Sequence, residues 1–489
     1  AVTWIARLHQ RGLVALLRRH APFILASEAA FWLAFCVFLG FRWLNPDLWH
    51  PIFGGEKPME LAYINAIARS LTFPPYDPWF ADGTMNYYYY GFYLVAFLWK
   101  LTGVSPGVGF QLSVATLAGF LASGLFSLGA AIGRHLLPGG RSAVSSLAAG
   151  GMTVLLGLFT GNLDALRQVI SRGTWSIDFW QSSRAVTNAI TEFPFFTFLW
   201  ADLHPHAVAQ PLIVLLLALV FSRWLDARHS PHVKAVLMAG TASLAAGSIA
   251  VTNTWDTPLA VLLVTAFAFA PALEQQKLSI RSLAAATLRA AGMLGMSWLL
   301  FYPFFARFVA VVGGIAPTSN GTATDEYLTQ FGILLGLLAA AVVWWLVRDG
   351  STWQTGGARA ALFGASASLA GYCLGALAFG RLFGIHVEFE WSTLITLLLL
   401  STLAPFVALG LLGGDSGHPE LLSSVFLLNA TAGLLVTLRP TAGITLLPCL
   451  LLSIAILRVR QRPALAFVTL SVAVGLWITF AVDLVLIVD

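Results

Sequence analysis

Charge is what this chain has little of. Only 10% of its 489 residues are Asp, Glu, Lys or Arg, against about 25% in a soluble domain. Hydrophobic residues make up 58%, and mean hydropathy is +0.80. Such a surface cannot be kept in water, so a soluble enzyme is excluded. Cysteine is scarce too. Cys36, Cys373 and Cys449 all lie in apolar runs without metal-ligand spacing, which argues against a disulfide framework. The motifs of soluble nucleotide and acyl chemistry are missing: no phosphate loop, no dinucleotide-binding glycine fingerprint, no nucleophile elbow. A nucleotide-driven pump carried by this chain alone is therefore disfavoured. Net charge is +5, but the basic residues sit mostly in short loops between apolar runs, and nucleic acid is not an expected partner.

Apolar runs near twenty residues recur along the whole length instead. Backbone in lipid must satisfy its own hydrogen bonds, so these runs are helices. The expected fold is all-α: a polytopic transmembrane bundle of about thirteen spans, forming a single domain over 1–489. The spans fall near 22–43, 108–133, 143–160, 207–225, 235–252, 258–273, 290–310, 328–347, 360–379, 392–412, 421–437, 441–457 and 464–488. The 17 Trp and 35 Phe suit belts at the two membrane surfaces. Arg7, Arg11, Arg18 and Arg19 precede the first span with no processing site evident. The start at Ala1 and the stop at Asp489, at the end of a span, read as a fragment of a longer chain.

The basic residues orient this map. With the N-terminus cytoplasmic, alternate loops carry Arg134 and Arg141; Arg223, Arg228 and Lys234; Lys277, Arg281 and Arg289; Arg348 and Arg359; Arg458, Arg460 and Arg462. Lys and Arg gather on one side, as the positive-inside rule expects, and most acids fall on the other. The protein is thus expected in the cell membrane, with two long outer loops, 44–107 and 161–206. Residues 87–103 are apolar, but short, and they carry Lys100. Counting them as a span would invert every later loop, so they read as an interfacial or re-entrant helix.

The first outer loop holds most of the chemistry. Glu56 and Glu60 are four residues apart and share a face if the helix there begins early. Met59 to Ser70 has helical periodicity, with Leu61, Ile64 and Ala68 on one side. Asp77 and Asp82 follow among prolines and aromatics, and then Tyr87 to Tyr90. Any one of these acids is as easily a solvated loop carboxylate. The tyrosines read first as an interfacial belt, with one or two hydroxyls, such as those of Tyr88 and Tyr89, in reach of a phosphate or sugar. In the second loop Arg184 is a candidate phosphate clamp, and Asp202, His204 and His206 crowd the start of a span. An Asp with two His can hold a divalent metal, Mg or Mn here, or handle protons or phosphate. It can also be a polar helix start. Asp256, in VTNTWDTP, caps the next helix or lines the same cavity. Asp325, Glu326, Glu388 and Glu390 read as ordinary outer acids, while Asp483, inside a span, does not.

GGEKPMELAYINA, FPPYDPWFADGTMNYYYYG, EFPFFTFLWADLHPH and TNTWDTP resemble the YYY membrane protein family of bacteria and archaea, from about residue 30 to residue 489. That family is grouped with the GT-C glycosyltransferases. The resemblance implies a GT-C-like bundle that moves a sugar from a polyprenyl-phosphate donor to an acceptor at the outer face, with membrane lipid as its surroundings. It implies that Glu56 or Glu60 is the catalytic acid of the first loop. Asp202, His204 and His206 would be a second cluster that engages metal, donor phosphate or acceptor. Two departures stand out: position 60 is Asp in that pattern and Glu here, and a further block containing Arg-Met-Asn is not in this sequence. Two other classes stay open: a transporter or lipid flippase, and a structural subunit docked to membrane-protein partners.

Overall fold

The computed structural model describes residues 2–49, 55–137, 142–226, 232–274, 279–310, 314–318, 321–348, 357–382, 393–401, 419–459 and 462–488. In chain order the first helices are α1 (Val2–Leu44), α2 (Lys57–Arg69), α3 (Tyr90–Thr102), α4 (Pro106–Leu136), α5 (Ala143–Val154), α6 (Asp164–Arg172) and α7 (Phe179–Ser182). There follow α8 (Pro194–Trp200), α9 (Pro205–Leu225), α10 (His232–Thr252), α11 (Thr257–Leu273), α12 (Ile280–Leu300), α13 (Tyr302–Phe305) and α14 (Thr324–Arg348). Helices Gly357–Leu382, Pro419–Val436, Pro440–Val459 and Pro463–Leu484 come last, with 393–401 also helical.

Seven helices among the described residues are long and apolar enough to cross a membrane, or eight if one bent pair counts as a single span. The remaining spans of the expected thirteen are not shown among the described residues. The span placed at 290–310 lies ten residues earlier, as α12. Ser279 and Ser282 form a reciprocal cap at its start, so Arg281 and Arg289 belong to the helix rather than to a loop. It ends at Leu300, and Phe301 after it, with φ of −112 and ψ of 18, leaves the helical region. The last span stops at Leu484. Val485–Val488 instead pairs antiparallel with Gly314–Pro317, the one two-stranded ribbon among the described residues. The span expected at 392–412 lies mostly outside the described residues, as do Glu388 and Glu390. Helix α3 has 13 residues, roughly 20 Å at 1.5 Å per residue, against a hydrocarbon core of about 30 Å.

The chain gathers into two compact units, one of Ala1–Gly161 with Phe193–Val309, the other of Asn162–Glu192 with Ala310–Asp489. In the first, α1 lies along α4 through a serine ladder: Ser27 Oγ is 2.8 Å from Ser123 Oγ and 3.0 Å from Ser127 Oγ. Helices α4 and α5 approach through Gly129 and Gly133. A Cβ at either would collide with Thr153 or Ala149 of α5. Small residues four apart let two helix backbones close to this distance in lipid, where packing rather than water exclusion drives association. Phe38, Ile64, Phe92, Phe110, Phe198 and Leu203 are fully buried and join α1, α2, α3, α4 and α8 to the turn before α9.

In the second unit, Asp483 of helix Pro463–Leu484 is 2% exposed. Its carboxylate accepts Thr322 N–H at 2.7 Å and Ala442 N–H at 3.0 Å. Thr318 Oγ1 donates to its backbone carbonyl. The membrane-buried acid is thereby explained as a structural acceptor. It binds the turn before α14 to the first turn of helix Pro440–Val459.

Candidate functional site

The site forms where the start of α2 meets the turn between α8 and α9. Helix α2 is opened by Pro58, whose fixed φ and missing N–H suit a first turn. Its inward stripe is Lys57, Glu60, Ile64 and Ile67, spaced as one helix face. Two polar side chains thus occupy positions that the periodicity assigns to the interior. Glu56 is the residue just before the helix and stays about half exposed, so the two glutamates do not share an environment.

The facing turn is sharp. Ala201 ends α8 at φ +64 and is fully buried, a conformation that costs a non-glycine residue roughly 1–2 kcal/mol. The turn aims the Leu203 N–H at Glu60, whose Oε2 accepts it at 2.8 Å. It presents Asp202 to Gly55, where a Cβ would stand 2.9 Å from Oδ2. Gly55 itself has φ +64. His204 comes next, with Nε2 2.7 Å from Glu56 Oε2. His204 Nδ1 is 2.9 Å from His206 Nδ1, and His206 Nε2 is 3.2 Å from Thr197 Oγ1. One set of neutral tautomers satisfies the whole row: Thr197 donates to His206, His206 to His204, and His204 to Glu56.

The two carboxyls are driven apart. The hydrogen bond from His204 holds Glu56 below its ordinary range, outweighing partial desolvation. Glu60 is fully enclosed, and its Oε1 has no hydrogen-bond partner among the described residues. Burial first, then the charge of Asp202, push its carboxyl well above the usual range, against the pull of the Leu203 N–H. Lys57, 8% exposed, lies 5.0 Å above the Trp200 ring. Burial pushes its ammonium down, while Asp202 pulls it up. Opposed shifts in neighbouring carboxyls are how acid and base roles are separated at one pH.

The tyrosine run divides at the start of α3. Tyr87 stacks on Tyr88 at 4.1 Å and lies 5.4 Å from Tyr63. Burial, the Tyr88 hydrogen bond and the charges of Glu56 and Glu60 all raise the Tyr87 phenol. Burial and the charges of Asp77 and Glu56 raise that of Tyr63. Tyr89, Tyr90 and Tyr93 turn the other way. With Phe73, Phe301 and Phe304 they line a cleft of about 270 Å³.

Other expected residues have partners of their own or lie exposed. Asp77 accepts the Trp79 N–H in its own loop, and Asp82 is exposed at φ +57. Asp256 is held by Asn253 Nδ2 at 2.8 Å. Arg184 belongs to the second unit, stacked 4.3 Å from Trp180 and 3.7 Å from Glu192. Among the described residues no three His, Cys, Asp or Glu side chains are arranged to hold a metal ion. Asp202 turns to Gly55 and Lys57, while the histidines turn to Glu56 and to each other, so the expected ligand trio is not assembled.

Sequence reasoning passed over Lys57, Tyr63 and Thr197. Lys57 left a signal: a cation in the first turn of a helix opposes the macrodipole, which calls for a partner elsewhere in the fold.

Apolar spans around a buried polar cluster define a multi-pass membrane protein. More particularly, the chain belongs to the family described as uncharacterized membrane protein (DUF2298), whose family model matches residues 1–489. No curated protein and no solved structure matches it.

Proposed function

We propose that the protein is a membrane glycosyltransferase of GT-C type, which moves a sugar from a polyprenyl-phosphate donor to an acceptor hydroxyl at the outer face. The observation that carries this reading is the Glu56–His204 pair at 2.7 Å, backed by His206 and set beside a carboxyl of opposite tendency. Glu56, half exposed and held ionised, takes the proton from the acceptor hydroxyl. The acceptor oxygen forms a bond to C1 of the sugar. The C1–O bond to phosphate breaks, and polyprenyl phosphate leaves with the electron pair. His204, backed by His206, holds Glu56 ionised and oriented, and the proton leaves Glu56 to water on its exposed side. Burial drives Glu60 toward its neutral form, which limits the negative charge opposing the departing phosphate. Lys57 is the cation on the same turn of α2. The aromatic cleft of Tyr89, Tyr90 and Tyr93 suits the lipid part of the donor.

The test is release of polyprenyl phosphate by the reconstituted full-length protein, offered a panel of polyprenyl-phosphate hexoses. Glu56→Gln is expected to cut turnover by about 10²–10⁴ and to leave donor binding in place. Equal loss of binding and turnover removes Glu56 as base, and no release with any donor removes the transferase reading. The buried Glu60 beside Asp202 favours a second reading, proton-coupled transport. A proton flux that Glu60→Gln abolishes, without sugar transfer, would establish it.

A further inference from the structure

Helices α9 and α12 each pack against α10 and α11. The Glu56–His204 cluster stands at the start of α9. At the other end of that 21-residue helix, roughly 30 Å away at 1.5 Å per residue, Arg223 is 8% exposed. Its Nη1 is buried and has no hydrogen-bond partner among the described residues. Its guanidinium lies 5.9 Å from the Phe267 ring of α11. The charged groups that face it are Arg289 of α12, Asp226 just past α9, and Glu274 just past α11. Asp226 is engaged by Lys234 of α10.

A buried guanidinium N–H without an acceptor costs the full desolvation of that donor. A second arginine facing it adds repulsion, which Asp226 and Glu274 each offset only in part. One anion between them relieves both, and planar guanidinium forks match phosphate oxygens in pairs. The same end is basic in sequence, with Arg228, Lys277 and Arg281 around these helix ends. On the same helices, Leu237 of α10 and Leu288 of α12 are 66% and 73% exposed, apolar surface for acyl chains.

We infer that the ends of α9 and α11, with the middle turns of α12, form a phosphate-binding site with Arg223 and Arg289 as its ligands. The phosphate is that of an anionic phospholipid head group or a free anion. Basic pockets between membrane helices hold lipid head groups in this way. The site is independent of the transfer reading, and its test needs no activity.

The thermal midpoint of the full-length protein in neutral detergent is followed while phosphatidylglycerol, phosphatidylcholine or inorganic phosphate is added. A ligand of the native state raises the midpoint by mass action. Phosphatidylglycerol is expected to raise it, phosphatidylcholine much less. Arg289→Gln, a change at an exposed position, should need about fivefold more phosphatidylglycerol, the worth of one cation near a charged lipid. Arg223→Gln should lose the response. If Arg223→Gln does not fold, Arg289→Gln alone decides. A shift with inorganic phosphate that equals the lipid's, and weakens likewise in Arg289→Gln, keeps the site and makes the free anion its ligand. No shift with either phosphate source overturns the proposal. So does an equal shift with phosphatidylcholine, or an unchanged response in Arg289→Gln.

Discussion

Glu56 Oε2 lies 2.7 Å from His204 Nε2, across 148 positions of sequence. One turn further along the same helix, Glu60 takes the N–H of the residue before that histidine. Two glutamates four positions apart therefore meet one turn of chain in opposite ways. The outer one accepts from a side chain and stays ionised. The inner one accepts from backbone, is cut off from water and is driven toward its neutral form.

The His204 bond is the largest cause of the lowered Glu56 carboxyl. His204→Ala should let that carboxyl rise toward its ordinary range. The acidic limb of any activity that uses Glu56 as base would then move to higher pH. A pH–rate profile checks this, and an unmoved limb would separate Glu56 from the reaction. The effect on stability should be small, because Glu56 is half exposed and screened by solvent. Its contribution is present above the unfolded pKa and fades as pH falls through the folded one.

Glu60 carries the opposite sign. A carboxyl whose folded pKa is raised stabilises fully below its unfolded pKa, and that stabilisation is lost as pH rises through the folded value. Wild-type protein should therefore lose stability between about pH 4, where a free Glu titrates, and the raised pKa of Glu60. Glu60→Gln keeps an acceptor for the Leu203 N–H and removes the titration. Its thermal midpoint should fall less over that window than the wild type's. Parallel curves would show that Glu60 is not buried as described.

Asp483 is read as structural. Asp483→Ala leaves the Thr322 and Ala442 N–H groups without their acceptor, a loss of about 3 kcal/mol or more for two charge-assisted bonds. Chemical denaturation in detergent should register it, while any sugar transfer by the folded fraction stays at the wild-type rate. A stable variant with lost activity would reverse the assignment.

Helix packing offers a matched pair. Gly133→Ala forces a methyl onto Ala149 of α5 and should cost about 1–3 kcal/mol as overpacking. Gly151→Ala, on α5, meets nothing within 4 Å and should stabilise by up to about 1 kcal/mol through helix propensity. Thermal midpoints of the two variants should fall on opposite sides of the wild type. The same sign for both would mean that α4 and α5 are not in close contact.

Much of the fold is legible in the sequence. Pro106, Pro205 and Pro463 open the helices that were expected near 108, 207 and 464. Helix α2 likewise stands where periodicity put it, and the short α3 lies within the apolar run 87–103. The misplacement of α12 has a local cause. Arg281 and Arg289 read as loop charges, because hydropathy does not register that long cationic side chains can lie along a helix and still reach water. In the site, Glu56, Glu60, Asp202, His204 and His206 were all named from sequence, and one turn does gather them. Their division of labour was not legible. Asp202 meets Gly55 rather than the histidines, because a buried left-handed residue, Ala201, reverses the chain just before it.

Composition by itself determined that this chain lives in lipid and folds into helices. Those outcomes are sums over many residues, and no single contact can change them. Proline and serine starts determined where several of the helices begin, since φ and the first-turn donors are local matters. Only tertiary structure decided which of two nearby glutamates is wet. A side chain's solvation depends on what chain arrives from elsewhere, and here the arriving chain is the turn from Ala201 to His204. It also decided that Arg223 is enclosed at the end of α9 while Arg289 stays exposed on α12. In sequence each is simply a basic residue near the end of an apolar run.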